Sequence, residues 1–108
     1  MKILGIDPGL IQTGYGIIQA NDENVKMIDY GIIEIPKTES LNIRLHTIFF
    51  DICDIIKKYK PQIFVIEEVF FGKNAKSALM LGHARGAAMV SATHNNLIVY
   101  EFSAKKIK

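Results

Sequence analysis

Cysteine occurs once in the 108 residues, which leaves no disulfide framework and no thiolate metal site. Cys53 stands among Phe49, Ile52 and Ile56, where a buried small hydrophobe is the expected role. No basic leader precedes a long apolar stretch, and no apolar run approaches the roughly 20 residues that span a bilayer. A soluble, cytoplasmic chain is expected, with no membrane partner. Internal repeats, linkers and low-complexity segments are missing too. Acid is scarce in one place: residues 72–108 hold Glu101 against six Lys/Arg, whereas residues 1–71 hold ten Asp/Glu against seven Lys/Arg. A net charge of +2 therefore hides a locally basic C-terminal third.

What is present argues for a packed chain. Hydrophobic residues make up 49% and charged residues 22%, a globular balance that argues against disorder. A chain of this length suits a single domain over residues 1–108 and buries roughly two-thirds of its unfolded surface. Lys2–Ile6, Gly14–Gln19 and Val25–Ile35 read as strands, with "ANDEN" as the hairpin turn between the last two. Strands this closely connected should pair antiparallel. From Leu41 the period becomes helical: Leu41, Leu45, Ile48, Phe49, Ile52, Ile55, Ile56 and Tyr59 form a stripe opposite Asp51, Asp54, Lys57 and Lys58. Ser40 suits an N-cap, and Pro61 stops the helix. The apolar strand Gln62–Glu67 follows, whose unbroken hydrophobicity predicts a central position covered on both faces. A second helix runs from an N-cap at Asn74 to about His94, and a last strand spans Leu97–Phe102. The expected fold is α/β, a mixed five-stranded sheet in which three antiparallel strands are followed by strands alternating with helices.

Two strands end on acid. In "KILGIDPGL" the first strand delivers Asp7, and in "PQIFVIEEVFF" the fourth delivers Glu67 and Glu68. Asp-Pro-Gly is ordinary turn chemistry, with Pro8 presetting one torsion and Gly9 accepting positive φ. Two acid-tipped, strongly apolar strands say more: if they lie parallel and adjacent, Asp7 and Glu67 meet. Carboxylates forced together repel, and oxygen-only ligation of a divalent cation, Mg²⁺ or Mn²⁺, relieves the repulsion. Paired metals about 3.5–4 Å apart can activate water and stabilise a leaving oxygen in phosphodiester cleavage. Lys73 and Lys76 flank the start of the second helix, whose free N–H groups favour anions. Lys105, Lys106 and Lys108 add a basic end, and Phe70 and Phe71 are placed to stack on an unpaired base. Ala78, Gly82 and Gly86 recur at four-residue steps on the second helix. Each interior glycine costs roughly 0.5–1 kcal/mol, compensated by close approach of its own sheet or of a partner's helix.

The segments "ILGIDPGL.QTGYG", "IEEVFFGKNAKSALMLGHARG" and "VYEFSAKKIK" resemble, in order and spacing, the RuvC-type Holliday-junction resolvases. The first motif alone is shared with actin-like ATPases and sugar kinases; the second is specific. The resemblance implies a ribonuclease H-like fold and a homodimer that nicks two symmetric strands of four-way junction DNA with Mg²⁺, Mn²⁺ being a plausible substitute and two ions completing a site. It also implies association with the RuvA and RuvB branch-migration proteins. By the same resemblance, Asp7 and Glu67 match metal ligands, and Lys108 a lysine near the scissile phosphate. Phe70 matches an aromatic at the opened junction, and the family's dimer contact includes the small-residue helix. Lys73, Asn74, Lys76, Lys105 and Lys106 join Phe70 and Lys108 as candidate DNA contacts. Glu68 falls where members often have Gln and is not counted as a ligand; His83, another Gln position, is given no role. Family members continue for roughly a third more chain, into a last helix with two further acidic or metal-binding residues, and that helix is absent here. A chain of this length should then be poorly active or inactive, with part of one sheet face bared.

Two other readings compete. A non-catalytic module that binds branched DNA or dimerises would explain the missing acids. An actin-like nucleotide-binding fragment would use "IDPGLIQTG" as a phosphate loop, but it needs a second domain for which the chain has no room.

Overall fold

The computed structural model describes residues 1–68 and 74–103. Three strands lead: β1 (Lys2–Asp7), β2 (Gln12–Ala20) and β3 (Val25–Glu34). The β2–β3 turn closes on Asn21, whose side-chain oxygen accepts from the N–H groups of Glu23 at 3.0 Å and Asn24 at 2.8 Å. That local bonding is why an Asn-rich segment turns here.

Helix α1 (Leu41–Tyr59) follows, then β4 (Ile63–Glu67), α2 (Ala75–His94) and β5 (Ile98–Phe102). Ser40 precedes α1 in extended conformation but makes no cap bond to the helix; its hydroxyl donates to Asn42 Oδ1 at 2.7 Å instead. The helix ends on left-handed Lys60 (φ 54°), whose N–H donates to the Ile56 carbonyl at 2.8 Å, with Pro61 next. Asn74 does cap α2, its Oδ1 accepting from the Ser77 N–H at 3.1 Å.

The sheet order is β3-β2-β1-β4-β5. β1 pairs antiparallel with β2, and β2 with β3; β1 pairs parallel with β4, and β4 with β5. This is the expected mixed five-stranded α/β sheet.

Both helices cover one face. Leu4, Ile6, Ile17, Ile33, Phe64 and Ile66 of the sheet bury against Ile48, Ile52 and Ile56 of α1 and Ala84, Ala88 and Ala92 of α2. Each such Leu, Ile or Phe contributes about 1.5–3 kcal/mol of transfer free energy. Cys53 is buried, as its apolar neighbours suggested. The opposite face stays open: Ile3 sits beside Ile18 and Gly5 beside Gly16, flanked by exposed Tyr30, Ile32, Ile98 and Tyr100. The expectation that β4 is covered on both faces fails. Phe64 and Ile66 are buried, but Ile63 and Val65 are only half-buried because, among the described residues, the helices pack on one side.

Candidate metal-binding site

β1 and β4 run parallel with Ile6 opposite Ile66. One residue further, each strand ends on its acid, so Asp7 and Glu67 stand side by side on strands roughly 4.8 Å apart. Side chains alternate along a strand, and both acids fall on the open face, opposite buried Ile6 and Ile66. Both residues are exposed. Gly14 faces Asp7 from β2, and even a Cβ there would lie 3.7 Å from the Asp7 Cβ, so that flank is kept clear. An exposed all-oxygen pair of this kind is a donor set that fits a hard, hydrated divalent cation. Among the described residues no group of three or more His, Cys, Asp and Glu could hold a metal ion, so the pair would offer a cation two carboxylates at most.

The connection after Asp7 is held from three sides. Buried Thr13 accepts from the Gly9 N–H at 3.2 Å and donates to the Gly9 carbonyl at 2.9 Å. Arg44 of α1 donates to the Leu10 carbonyl through Nε at 3.2 Å and Nη2 at 2.6 Å. Ile35 N–H donates to the Ile11 carbonyl at 3.0 Å. The reason for glycine at position 9 differs from the expected one. No described glycine has positive φ; instead a Cβ at Gly9 would stand 2.4 Å from the Gln12 carbonyl oxygen.

Lys76, exposed in the first turn of α2, shares a groove of about 510 Å³ with Gly9, Leu10 and Ile11, at the end of the sheet that carries Asp7. Asn74 lies two residues before it as the cap. Phe70, Phe71, Lys73, Lys105, Lys106 and Lys108 lie outside the described residues. Asp7, Glu67 and Lys76 are thus gathered at one sheet end. On the open face, a trough of about 650 Å³ runs over Gly5, Gly16, Ile18 and Val65 with Asp7 among its walls. Sequence reasoning passed over Arg85, which donates from Nε to the Glu67 carbonyl at 3.0 Å and ion-pairs with Glu101. The available signal was a lone Arg within a glycine-flanked helix and a lone acid in a basic third.

The family model described as Crossover junction endodeoxyribonuclease RuvC matches residues 3–108. The chain belongs to the RuvC family. Relatives bearing that description include the Caldicellulosiruptor saccharolyticus protein, 43% identical over 109 residues, and the Alkaliphilus oremlandii protein, 45% identical over 108 residues. Each match takes in 100% of this chain and 66% of the relative, so the chain spans just under two-thirds of their length. Among solved structures, Thermus thermophilus RuvC in complex with Holliday junction substrate superposes with a TM-score of 0.90 at 23% identity, covering 100% of this chain and 69% of that one. The yeast mitochondrial Holliday junction resolvase Ydc2 follows at a TM-score of 0.70 and 15% identity, over 95% of this chain and 50% of that one. At such identities these RuvC and resolvase structures establish the shared fold, the ribonuclease H-like architecture that the motifs implied. No helix among the described residues is long and apolar enough to cross a membrane.

Proposed function

We propose that the chain is the metal-binding and junction-recognising part of a Holliday-junction resolvase of DNA recombination and repair. Asp7 and Glu67 hold Mg²⁺, or Mn²⁺ in its place, within a ribonuclease H-like domain. The side-by-side placement of the two acids at the ends of parallel strands carries this reading. When bound, the metal, with two ions in a complete site, would activate water and stabilise the leaving oxygen of a phosphodiester. The chain's own residues orient the strand. Asp7 and Glu67 would hold the cation at the end of the sheet, where the reacting phosphate would bind. Lys76 and Lys73 neutralise neighbouring phosphates at the start of α2. Asn74 caps with its oxygen and keeps its amide N–H₂ for the backbone. Lys105 and Lys106 extend the basic track, Lys108 approaches the scissile phosphate, and Phe70 stacks on an opened base.

Paired symmetric nicks require a homodimer. On α2, Gly82 and Gly86 have nothing within 4 Å of where a Cβ would stand, so their own sheet is not what they approach. Exposed Leu79 and Val90 flank them, a surface fitted to a second copy's helix, while Ala78 is turned into the core. In the cell the dimer would act with the RuvA and RuvB branch-migration proteins. The open sheet face and the two-carboxylate donor set support a site completed by a further helix, with this chain poorly active by itself. The same two-ligand set favours a second reading, a module that binds branched DNA or dimerises without cleaving it.

The test is cleavage of a synthetic mobile four-way junction in Mg²⁺, with linear duplex as control, beside gel-shift binding in Ca²⁺. Selective junction binding without nicks is expected. Symmetric nicks lost in Asp7→Asn would show instead that two carboxylates suffice. Charge reversal at Lys73, Lys76 and Lys108 should flatten the slope of log affinity against log salt by about 2–3. Unaltered junction affinity would count against both readings.

A further inference from the structure

Arg85 reaches from α2 to two strand tips at once. Its Nε donates to the backbone carbonyl of Glu67 at 3.0 Å, and its Nη2 pairs with Glu101 Oε1 on β5. Its side chain is 16% exposed against 43% for Glu101, so the fork works from a largely covered position. Glu67 is the last residue of β4, where a strand is free to fray. Its neighbour on one side is β5, through Ile66 opposite Glu101 and the Glu68 N–H donating to the Phe102 carbonyl at 2.7 Å. The fork secures the same peptide from the helix-covered face while the Glu67 side chain occupies the open one. Only a planar guanidinium meets a carbonyl and a carboxylate in one fixed geometry; an ammonium offers a single point charge.

We propose that Arg85 is a positioning residue: it fixes the tip of β4 so that the Glu67 carboxylate stands beside Asp7 ready for a shared divalent cation. The proposal rests on Asp7 and Glu67 as metal ligands. Its sign separates it from a plain field effect. Removing a positive charge near a cation site strengthens cation binding through the field alone, whereas loosening a ligand weakens it. Groups that orient ligands from behind cost about 10–100-fold in metal affinity when removed, and a backbone anchor belongs at the lower end.

The 108-residue chain is compared with Arg85→Met, Arg85→Lys, Glu101→Gln and Asp7→Asn by NMR. Two quantities are read: Mn²⁺ broadening of the Asp7 and Glu67 amides, and hydrogen exchange of the Glu68 amide. Exchange at Leu4 and Ile17 reports the sheet centre. Arg85→Met should weaken Mn²⁺ binding about tenfold and speed Glu68 exchange while Leu4 and Ile17 stay protected, with Arg85→Lys recovering part of both. Mn²⁺ binding that is equal or tighter in Arg85→Met, with Glu68 exchange unchanged, overturns the proposal. If Leu4 and Ile17 lose protection in Arg85→Met, Glu101→Gln, which loosens one tine of the fork, is judged by Glu68 exchange alone, because removing its negative charge weakens cation binding through the field by itself: faster exchange supports the hold on the strand tip, and unchanged exchange overturns it. If the parent and Asp7→Asn broaden alike, the metal reading of Asp7 fails. Glu68 exchange then decides for Arg85: faster exchange in Arg85→Met keeps its hold on the strand tip, and unchanged exchange removes it.

Discussion

Thr13 is a polar residue at zero exposure, and both of its hydroxyl bonds go to Gly9. Replacing it with Val keeps the volume and leaves the Gly9 N–H without its partner, at a cost of about 1–3 kcal/mol. A urea midpoint lowered accordingly is expected for Thr13→Val; a midpoint equal to the parent's would show that the loop after Asp7 is held without it. The turn at "DPGL" was legible because Pro and Gly punctuate any chain. Why Gly9 must be glycine was not, since the obstacle is the Gln12 carbonyl and its place depends on the path of β2. Ser40 teaches the same lesson from the other side. The residue type suited a cap, but its hydroxyl found Asn42 rather than the helix backbone.

At the scale of elements, α1 is latched to β3 by its last residue. The Tyr59 hydroxyl donates to Asp29 Oδ2, while Lys2 Nζ donates to the Tyr59 carbonyl at 3.1 Å and Lys58 Nζ sits 5.1 Å from the Tyr59 ring. The hydrogen bond from Tyr59, and then that from the Tyr30 N–H, hold the Asp29 carboxyl below its ordinary 3.8. The same bond to Asp29 holds the Tyr59 phenol above its ordinary 10.0. A lowered acid contributes stability above 3.8 that is lost as pH falls through its folded value; a raised phenol contributes below 10.0 and loses it as pH rises. The stability gap between the parent and Tyr59→Phe should therefore be constant from about pH 4 to pH 10 and shrink on either side. Thermal unfolding across that range checks it, and a gap that persists undiminished at pH 2 would refute the latch. Helix periods and the Asn74 cap were readable because they are local, repeating every 3.6 residues. The Arg85–Glu101 pair spans 16 residues and two elements, and nothing in the local pattern brings those residues together. β4 misled for a related reason: an unbroken apolar run reports what a strand tolerates, not how many layers cover it.

Across the whole molecule, five strands carry two helices on one face and leave the other to Asp7, Glu67 and a band of exposed apolar side chains. The pairing of the two acids was legible because β1 and β4 are both strongly apolar, as central neighbours are, and parallel neighbours end together. The donor set was legible only in part, because further ligands belong to no local pattern of these 108 residues, and the described residues offer no third. The most direct measurement is a crystal of this chain soaked in Mn²⁺ and recorded at the manganese edge, beside Asp7→Asn crystals treated alike. An anomalous peak within about 2.0–2.3 Å of a carboxylate oxygen from both Asp7 and Glu67, absent in Asp7→Asn, is the predicted result. A peak that ignores these two residues, or none at saturating Mn²⁺, would contradict the account.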